Sequence, residues 1–334
     1  MVHDLTITFW GVRGSHPVPG TSTVRFGGNT PCIEVRAGGY LIILDAGTGI
    51  IGLGRALLRR SAEERRPIEA TLLFSHMHHD HTQGFPFFTP AYLGPTKLNI
   101  LGPGIFERDL EETLQRSMLP PVFPVALQEL ASAKTIATMR ETDVLLIGEA
   151  VGGIALRNKF RDEIESDPDL VRITALHSYA HPGDVLIYRV EWRGRSMVYA
   201  TDTEGYASTD RRLVTFAKGA DLLIHDAQYT EDHYLGLRPG FAATQGWGHS
   251  TAAMACDVAA AAGAGQLVLF HHEPNYEDAV IESIEAEAKA RFPNTVAAYE
   301  GLTITLGGED EAQAAEAPAD EPPAVAEEPT LPTG

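Results

Sequence analysis

Cysteine is scarce in this chain, with Cys32 and Cys256 the two present in 334 residues. Two thiols cannot staple a small loop-rich fold, and the apolar surroundings of both (TPCIEV and AMACDVA) read as buried packing. That usage suits a reducing compartment, so a cytoplasmic location is expected. Positive charge is also short: 26 Lys and Arg face 45 Asp and Glu, for a formal charge of −19. Eight of the acids lie in Gly308–Gly334, which has no Lys or Arg, and the remainder therefore carries −11. Broad nucleic-acid binding through a basic surface is disfavoured by that balance. Long apolar runs are missing as well, with no uncharged apolar stretch of about 18 residues and no basic segment leading into an apolar one at the start of the chain. No secretion signal, membrane span or membrane partner is expected.

What is present is a globular composition, 44% hydrophobic and 21% charged, with enough residues for a large core. Leu5–Trp10, Cys32–Arg36 and Tyr40–Leu44 read as strands between Gly-rich turns, and Gly52–Arg60 suits a helix. Ala70–Phe74 is a short apolar strand running directly into a histidine cluster. Lys97–Leu101 reads as a strand and Phe106–Met118 as a helix. Pro120, Pro121 and Pro124 force an extended connection. Leu127–Asp169 has a mixed pattern that fits strand, helix or an inserted lid. Beyond it come strands at Leu170–Leu176, Val185–Trp192 and Ser196–Ala200. Helices at Thr209–Lys218, Thr251–Ala262 and Tyr276–Arg291 then alternate with strands at Asp221–Ile224 and Gln266–Phe270, and Thr295–Ala298 and Leu302–Leu306 close the chain. This order suggests two sheets with helices outside, in one domain over residues 1–307. Residues 308–334 are Ala, Glu and Pro with almost no large apolar side chain, and read as a disordered acidic tail.

His76-Met77-His78-His79-Asp80-His81 places four of the 13 histidines within six residues. The pattern His-x-His-x-Asp-His arises by chance in roughly one chain of this composition in a thousand. His76 and His78 stand two apart in an extended segment and point to one side, where they can grip one metal. Asp80 and His81 follow a turn and can face a second. The competing reading is a surface His-rich tract with adventitious metal affinity.

Carried on those residues, the chain resembles the metallo-β-lactamase-fold hydrolases over about Leu5–Leu306. Within them it is similar to the phosphodiesterase branch, which contains cyclic-phosphate phosphodiesterases and tRNA 3′-end processing endonucleases. The resemblance implies an α/β (α+β) fold, a four-layer αββα sandwich with a dinuclear site along one edge. It implies that His181, in His-Pro-Gly, joins His76 and His78 on the first metal, that Asp202 bridges both, and that His271 joins Asp80 and His81 on the second. His177 and His272 are nearby alternatives to His181 and His271. His79 reads as pointing away, and Asp45, in LDAGTG, as orienting the histidine loop rather than binding metal. Two divalent ions are expected, with Zn²⁺ favoured and Mn²⁺ admitted.

Two metals can neutralise a phosphodiester, activate a water and stabilise the departing alkoxide. Asp80 is the expected group to orient or deprotonate the nucleophile. His249, in Gly-Trp-Gly-His-Ser-Thr, resembles the His-Ser-Thr motif whose histidine acts near the leaving group, with Asp226 in the place of its acidic partner. The plainer reading is that Ser250 or Thr251 caps a helix. Arg25–Thr30 matches a Gly-rich segment near the site or is an inter-strand turn. Between the cluster and His181 no Gly- and Lys-rich arm is visible. A cyclic nucleotide or related small cyclic phosphodiester is therefore the expected substrate, with tRNA 3′-end processing as the alternative and RNA the less favoured partner. A homodimer is left open.

Overall fold

The computed structural model describes residues 5–104, 110–183, 185–205 and 209–307. The acidic tail at 308–334 and the first turn of the helix expected from Phe106 lie outside the described residues. The chain begins with β1 (Leu5–Gly11), β2 (Cys32–Ala37), β3 (Tyr40–Leu44), β4 (Glu69–Leu73), β5 (Lys97–Gly102) and β6 (Ala133–Thr138). A second set follows: β7 (Asp143–Gly148), β8 (Gly153–Asn158), β9 (Val171–Ser178), β10 (Val185–Trp192), β11 (Arg195–Ala200), β12 (Leu222–Asp226), β13 (Gln266–Phe270) and β14 (Thr295–Ala297). The last strand, β15 (Thr303–Leu306), returns to pair antiparallel with β1. One sheet runs β15-β1-β2-β3-β4-β5-β6 and the other β14-β13-β12-β11-β10-β9-β7-β8.

The helices are α1 (Gly49–Glu64), α2 (His79–Thr82), α3 (Leu110–Ser117), α4 (Arg211–Phe216), α5 (Glu231–Tyr234), α6 (Ala252–Ala262) and α7 (Asp278–Arg291). Ile7, Phe9, Val35 and Ile42 of the first sheet pack against Ile173, Tyr188, Tyr199 and Phe270 of the second, forming the central core. The outer face of the first sheet (Ile43, Leu72, Ile100) is covered by Leu53 and Leu57 of α1 and Leu114 of α3. That of the second sheet (Ile187, Leu223, Leu267) is covered by Leu213 of α4, Val258 of α6 and Ile284 of α7. The four-layer αββα expectation is met.

Burial on both faces explains why β4 reads Ala-Thr-Leu-Leu after its first residue, without polar alternation. The mixed stretch 127–169 resolves as β6, added parallel to β5, and the hairpin β7–β8 at the far edge of the second sheet. It is not a lid. Strands β3 to β6 are mutually parallel, as are β11 to β14. Their carboxyl ends meet along one edge of the sandwich, where ligands of open parallel sheets gather. No helix among the described residues is long and apolar enough to cross a membrane.

Candidate metal centre and acid pair

Six of the chemically notable side chains sit at or just past a strand end. Asp45 follows β3, His76 follows β4, His181 follows β9, Asp202 follows β11, Asp226 ends β12 and His271 follows β13. Asp45, Asp202 and His271 adopt φ of 61°, 48° and 64°, and Ser15 one of 60°. Left-handed backbone at residues other than glycine costs energy and persists only where surrounding contacts over-determine it. Those contacts are visible at Asp45. Its Oδ1 accepts the Ser75 amide (2.7 Å), and its Oδ2 accepts the Ser75 hydroxyl (2.8 Å), the Tyr199 hydroxyl (2.7 Å) and the His81 Nδ1–H (2.8 Å). Asp45 thus fixes the loop and presents His81 Nε2, the reading made from sequence.

The expected ligands converge in two groups sharing one carboxylate. His76, His78 and His181 bring their ring nitrogens within 4.8 Å of one another, as do Asp80, His81 and His271 with their donor atoms. Between them lies Asp202, buried, with its two oxygens divided. Oδ2 faces His76 Nε2 (3.7 Å) and His181 Nε2 (3.8 Å), whereas Oδ1 faces His81 Nε2 (3.2 Å) and His271 Nε2 (3.5 Å). Asp80 Oδ2 lies 3.2 Å from His271 Nε2 and 3.4 Å from His81 Nε2, and accepts the Ser15 amide at 2.7 Å. Glycine is required at Gly14, where a Cβ would lie 2.5 Å from the His271 ring.

A divalent cation fits this donor set. His76 Nε2 is fully buried and has no hydrogen-bond partner among the described residues, an expensive state for a polar atom unless a cation takes its lone pair. Its ring crowds His78 and His81 at centroid distances of 4.5 and 4.3 Å. Burial, reinforced by the neighbouring His81, pushes His76 well below the usual histidine range, and burial brings His181 down to about 4. Both are neutral near pH 7, as metal-binding imidazoles must be. At His81 burial opposes the cation, but Asp202, Asp80 and Asp45 outweigh it and raise its pKa. At Asp80 and Asp202 burial is likewise outweighed, by the surrounding histidines, and both carboxyls are held low and ionised.

The acid pair abuts this cluster. His249 Nδ1 lies 2.7 Å from Asp226 Oδ2, and its ring stacks on His271 at 5.0 Å. Burial disfavours its charged form, but Asp226, with Asp202 and Asp80 behind, lifts His249 to about 9. Asp226 Oδ1 accepts the amides of Gln228 and Ser250. Thr251 caps α6 through its hydroxyl, so the capping reading and the His249–Asp226 contact hold together.

The alternatives go elsewhere. His272 Nε2 donates to the Ala298 carbonyl at 2.8 Å, and burial, then Arg13, holds it neutral down to about 3. His177 packs edge-on against Tyr179 at 4.4 Å, and His79 is exposed. Asn29 spends its amide on Glu300 and Arg25 pairs with Glu282, so Arg25–Thr30 is a structural connection. Sequence reasoning missed Gln228, whose Oε1 accepts from His271 Nδ1 (3.1 Å), and Glu204. Buried Glu204 accepts the Tyr234 hydroxyl (2.5 Å) and the amides of Gly246 (2.8 Å) and Gly248 (3.0 Å), tying down the turn that leads to His249.

Residues 40–272 match the family model of the beta-lactamase superfamily domain. Ribonuclease Z of Thermoplasma acidophilum is 25% identical over 316 residues, 88% of this chain and 94% of that one. Among solved structures, the metallo-beta-lactamase fold protein YhfI of Bacillus subtilis has a TM-score of 0.60 at 19% identity, covering 91% of this chain and 99% of its own. Human tRNase Z, short form, has a TM-score of 0.56 at 17% identity, covering 90% and 98%. With its strand-end carboxylates and histidines set on that sandwich, the chain belongs to the beta-lactamase superfamily.

Proposed function

We propose that this metal-dependent hydrolase is a phosphodiesterase that cuts RNA, with the 3′ ends of tRNA precursors as its substrate class. The full-length likeness to ribonuclease Z carries this reading, and it outweighs the small cyclic substrate favoured by charge and by the lack of a basic arm. His76, His78 and His181 would hold one divalent ion, Asp80, His81 and His271 the other, and Asp202 both, with zinc the preferred metal and manganese the alternative. When bound, the ions neutralise the phosphate and lower the pKa of a water toward neutrality.

The chain's own groups supply positioning and proton movement. Asp80, with Oδ2 anchored on the Ser15 amide, orients the attacking water and accepts its proton. Asp226 holds His249 by Nδ1 as the cation, and Nε2, which has no hydrogen-bond partner among the described residues, delivers a proton to the departing ribose oxygen. Asp45 and Gln228 hold the His81 and His271 rings. A metal-supplemented panel of precursor tRNA, linear diesters and 2′,3′- and 3′,5′-cyclic nucleotides tests the reading. Endonucleolytic cleavage of the precursor is expected. Turnover of cyclic nucleotides with the precursor left intact would replace it by the small-substrate reading, which the continuation of residues 133–158 into paired strands rather than an arm favours.

A further inference from the structure

Two large side chains stand out at the mouth of the cluster. Tyr179 is 73% exposed and lies two residues before His181, and Trp247 is 56% exposed and lies two residues before His249. The two loops meet, since His181 Nδ1 lies 3.2 Å from the Gly248 carbonyl oxygen and the His181 and His249 rings are 4.8 Å apart. Consecutive Cα atoms lie about 3.8 Å apart, so neither aromatic is more than two such steps from that shared contact. Single exposed apolar residues are ordinary on a protein surface. What sets this pair apart is that rigid backbone presents them. Gly246 and Gly248, flanking Trp247, have φ of 81° and 90°, and both amides donate to buried Glu204. The Trp247 amide donates to the Thr244 carbonyl (3.1 Å), and a Cβ on Gly248 would lie 2.3 Å from His181 Nδ1. The indole gains little burial from so constrained a turn. On the other side the Arg212 guanidinium, fixed on both oxygens of Glu141 (2.9 Å each) and on the His177 carbonyl (3.1 Å), lies 5.9 Å from the Tyr179 ring centroid. Beside Tyr179 opens a cleft of about 510 Å³, walled by Pro103, Thr138, Arg140 and Leu186.

We infer that Tyr179 and Trp247 are specificity-determining residues that stack on unpaired nucleobases flanking the scissile phosphate, so that the enzyme selects a single-stranded stretch of polynucleotide. This deepens the RNA reading above and rests on it. A chain short of positive charge has few phosphate contacts to offer, whereas every base has a π-face that an aromatic ring can meet without charge.

The probe is a 2′-O-methyl adenosine tetranucleotide added to the metal-loaded full chain. Trp192 is buried and Trp10 is half-buried with its Nε1–H on Glu34, which leaves Trp247 as the exposed reporter of tryptophan fluorescence. Quenching on titration is expected. With Kd read from the anisotropy of a 5′-labelled tetranucleotide, which needs no tryptophan, Tyr179→Ala and Trp247→Ala should each weaken binding, and raise KM for single-stranded RNA, by about 5- to 100-fold with a smaller change in kcat. Tyr179→Phe and Trp247→Phe should restore binding, because a phenyl ring keeps a stacking face. Absence of quenching together with wild-type Kd in both alanine variants would overturn the inference, even if precursor tRNA is cut. Quenching and alanine sensitivity in a protein that cuts no RNA would support the stacking mouth and overturn the RNA-cleavage reading instead.

Discussion

Two buried carboxylates hold the two walls of the site, and they do so differently. Asp45 grips the histidine loop after β4 through hydrogen bonds to Ser75, His81 and Tyr199, all from within the sandwich core. Glu204 grips the turn before His249 through the Gly246 and Gly248 amides and the Tyr234 hydroxyl, and that turn carries an exposed tryptophan. One wall is locked where the side chains proposed to hold ions converge, and where small misplacement would cost affinity. The other is locked in its backbone alone, leaving its side chains to face what arrives. Removing either anchor should therefore damage a different step.

The largest effect is expected at the acid itself. His249→Ala should lower kcat on a ribose-alkoxide substrate by about 10²–10⁴-fold while both metals stay bound. The loss should be much smaller on bis-nitrophenyl phosphate, whose leaving group needs little protonation. Equal losses on both substrates, or loss of metal, would assign His249 to positioning or ligation. On the metal wall, elemental analysis of the wild type purified without chelator should approach two ions per chain. Asp45→Asn should weaken metal affinity by roughly 10- to 100-fold, as loss of a partner that orients a ligating histidine does. Titration with a chelating competitor measures it, and unchanged affinity would remove Asp45 from that role.

Glu204→Gln should sharpen the contrast, with about a 10-fold fall in kcat on RNA because a lost charged acceptor loosens the His249 turn, and with metal content unchanged. Metal loss in this variant would erase the distinction between the two walls. A smaller effect is expected from pH in the chelated protein. His249 is raised to about 9 in the fold, so its pairing with Asp226 stabilises fully below the unfolded value near 6.5 and is lost as pH rises through 9. The Tm gap between wild type and His249→Asn should accordingly narrow from pH 6 to pH 10. The smallest effect is proposed for deletion of residues 308–334, which should leave melting and turnover nearly unchanged. A large Tm loss would move the domain boundary.

The histidine cluster was legible because its ligand candidates share one short loop, and an apolar strand delivering four histidines in six residues has few other meanings. His181, Asp202 and His271 each lie a hundred residues or more beyond that loop and were placed through resemblance. Residues 127–169 were opaque for a related reason. All but the first residue of edge strand β8 are half-buried, without a clean alternation, and β6 is defined by its register with β5 some thirty-six residues earlier. Glu204 carried no local signal at all, since an acid near a strand end is ordinarily a solvated one.

The sequence by itself indicated a metal-binding donor set, the order of the main strands and helices outside residues 127–169 and the acidic balance, because these follow from residue type and short-range periodicity. Only the tertiary structure decided that the two oxygens of Asp202 divide between two histidine sets, that His272 turns to Ala298 while His271 faces the cluster, and that Glu204 is buried beneath the turn bearing Trp247. Those outcomes depend on parallel strands from distant parts of the chain ending at a common edge. Local patterning cannot specify which atoms meet there, because close packing of the whole sandwich chooses them.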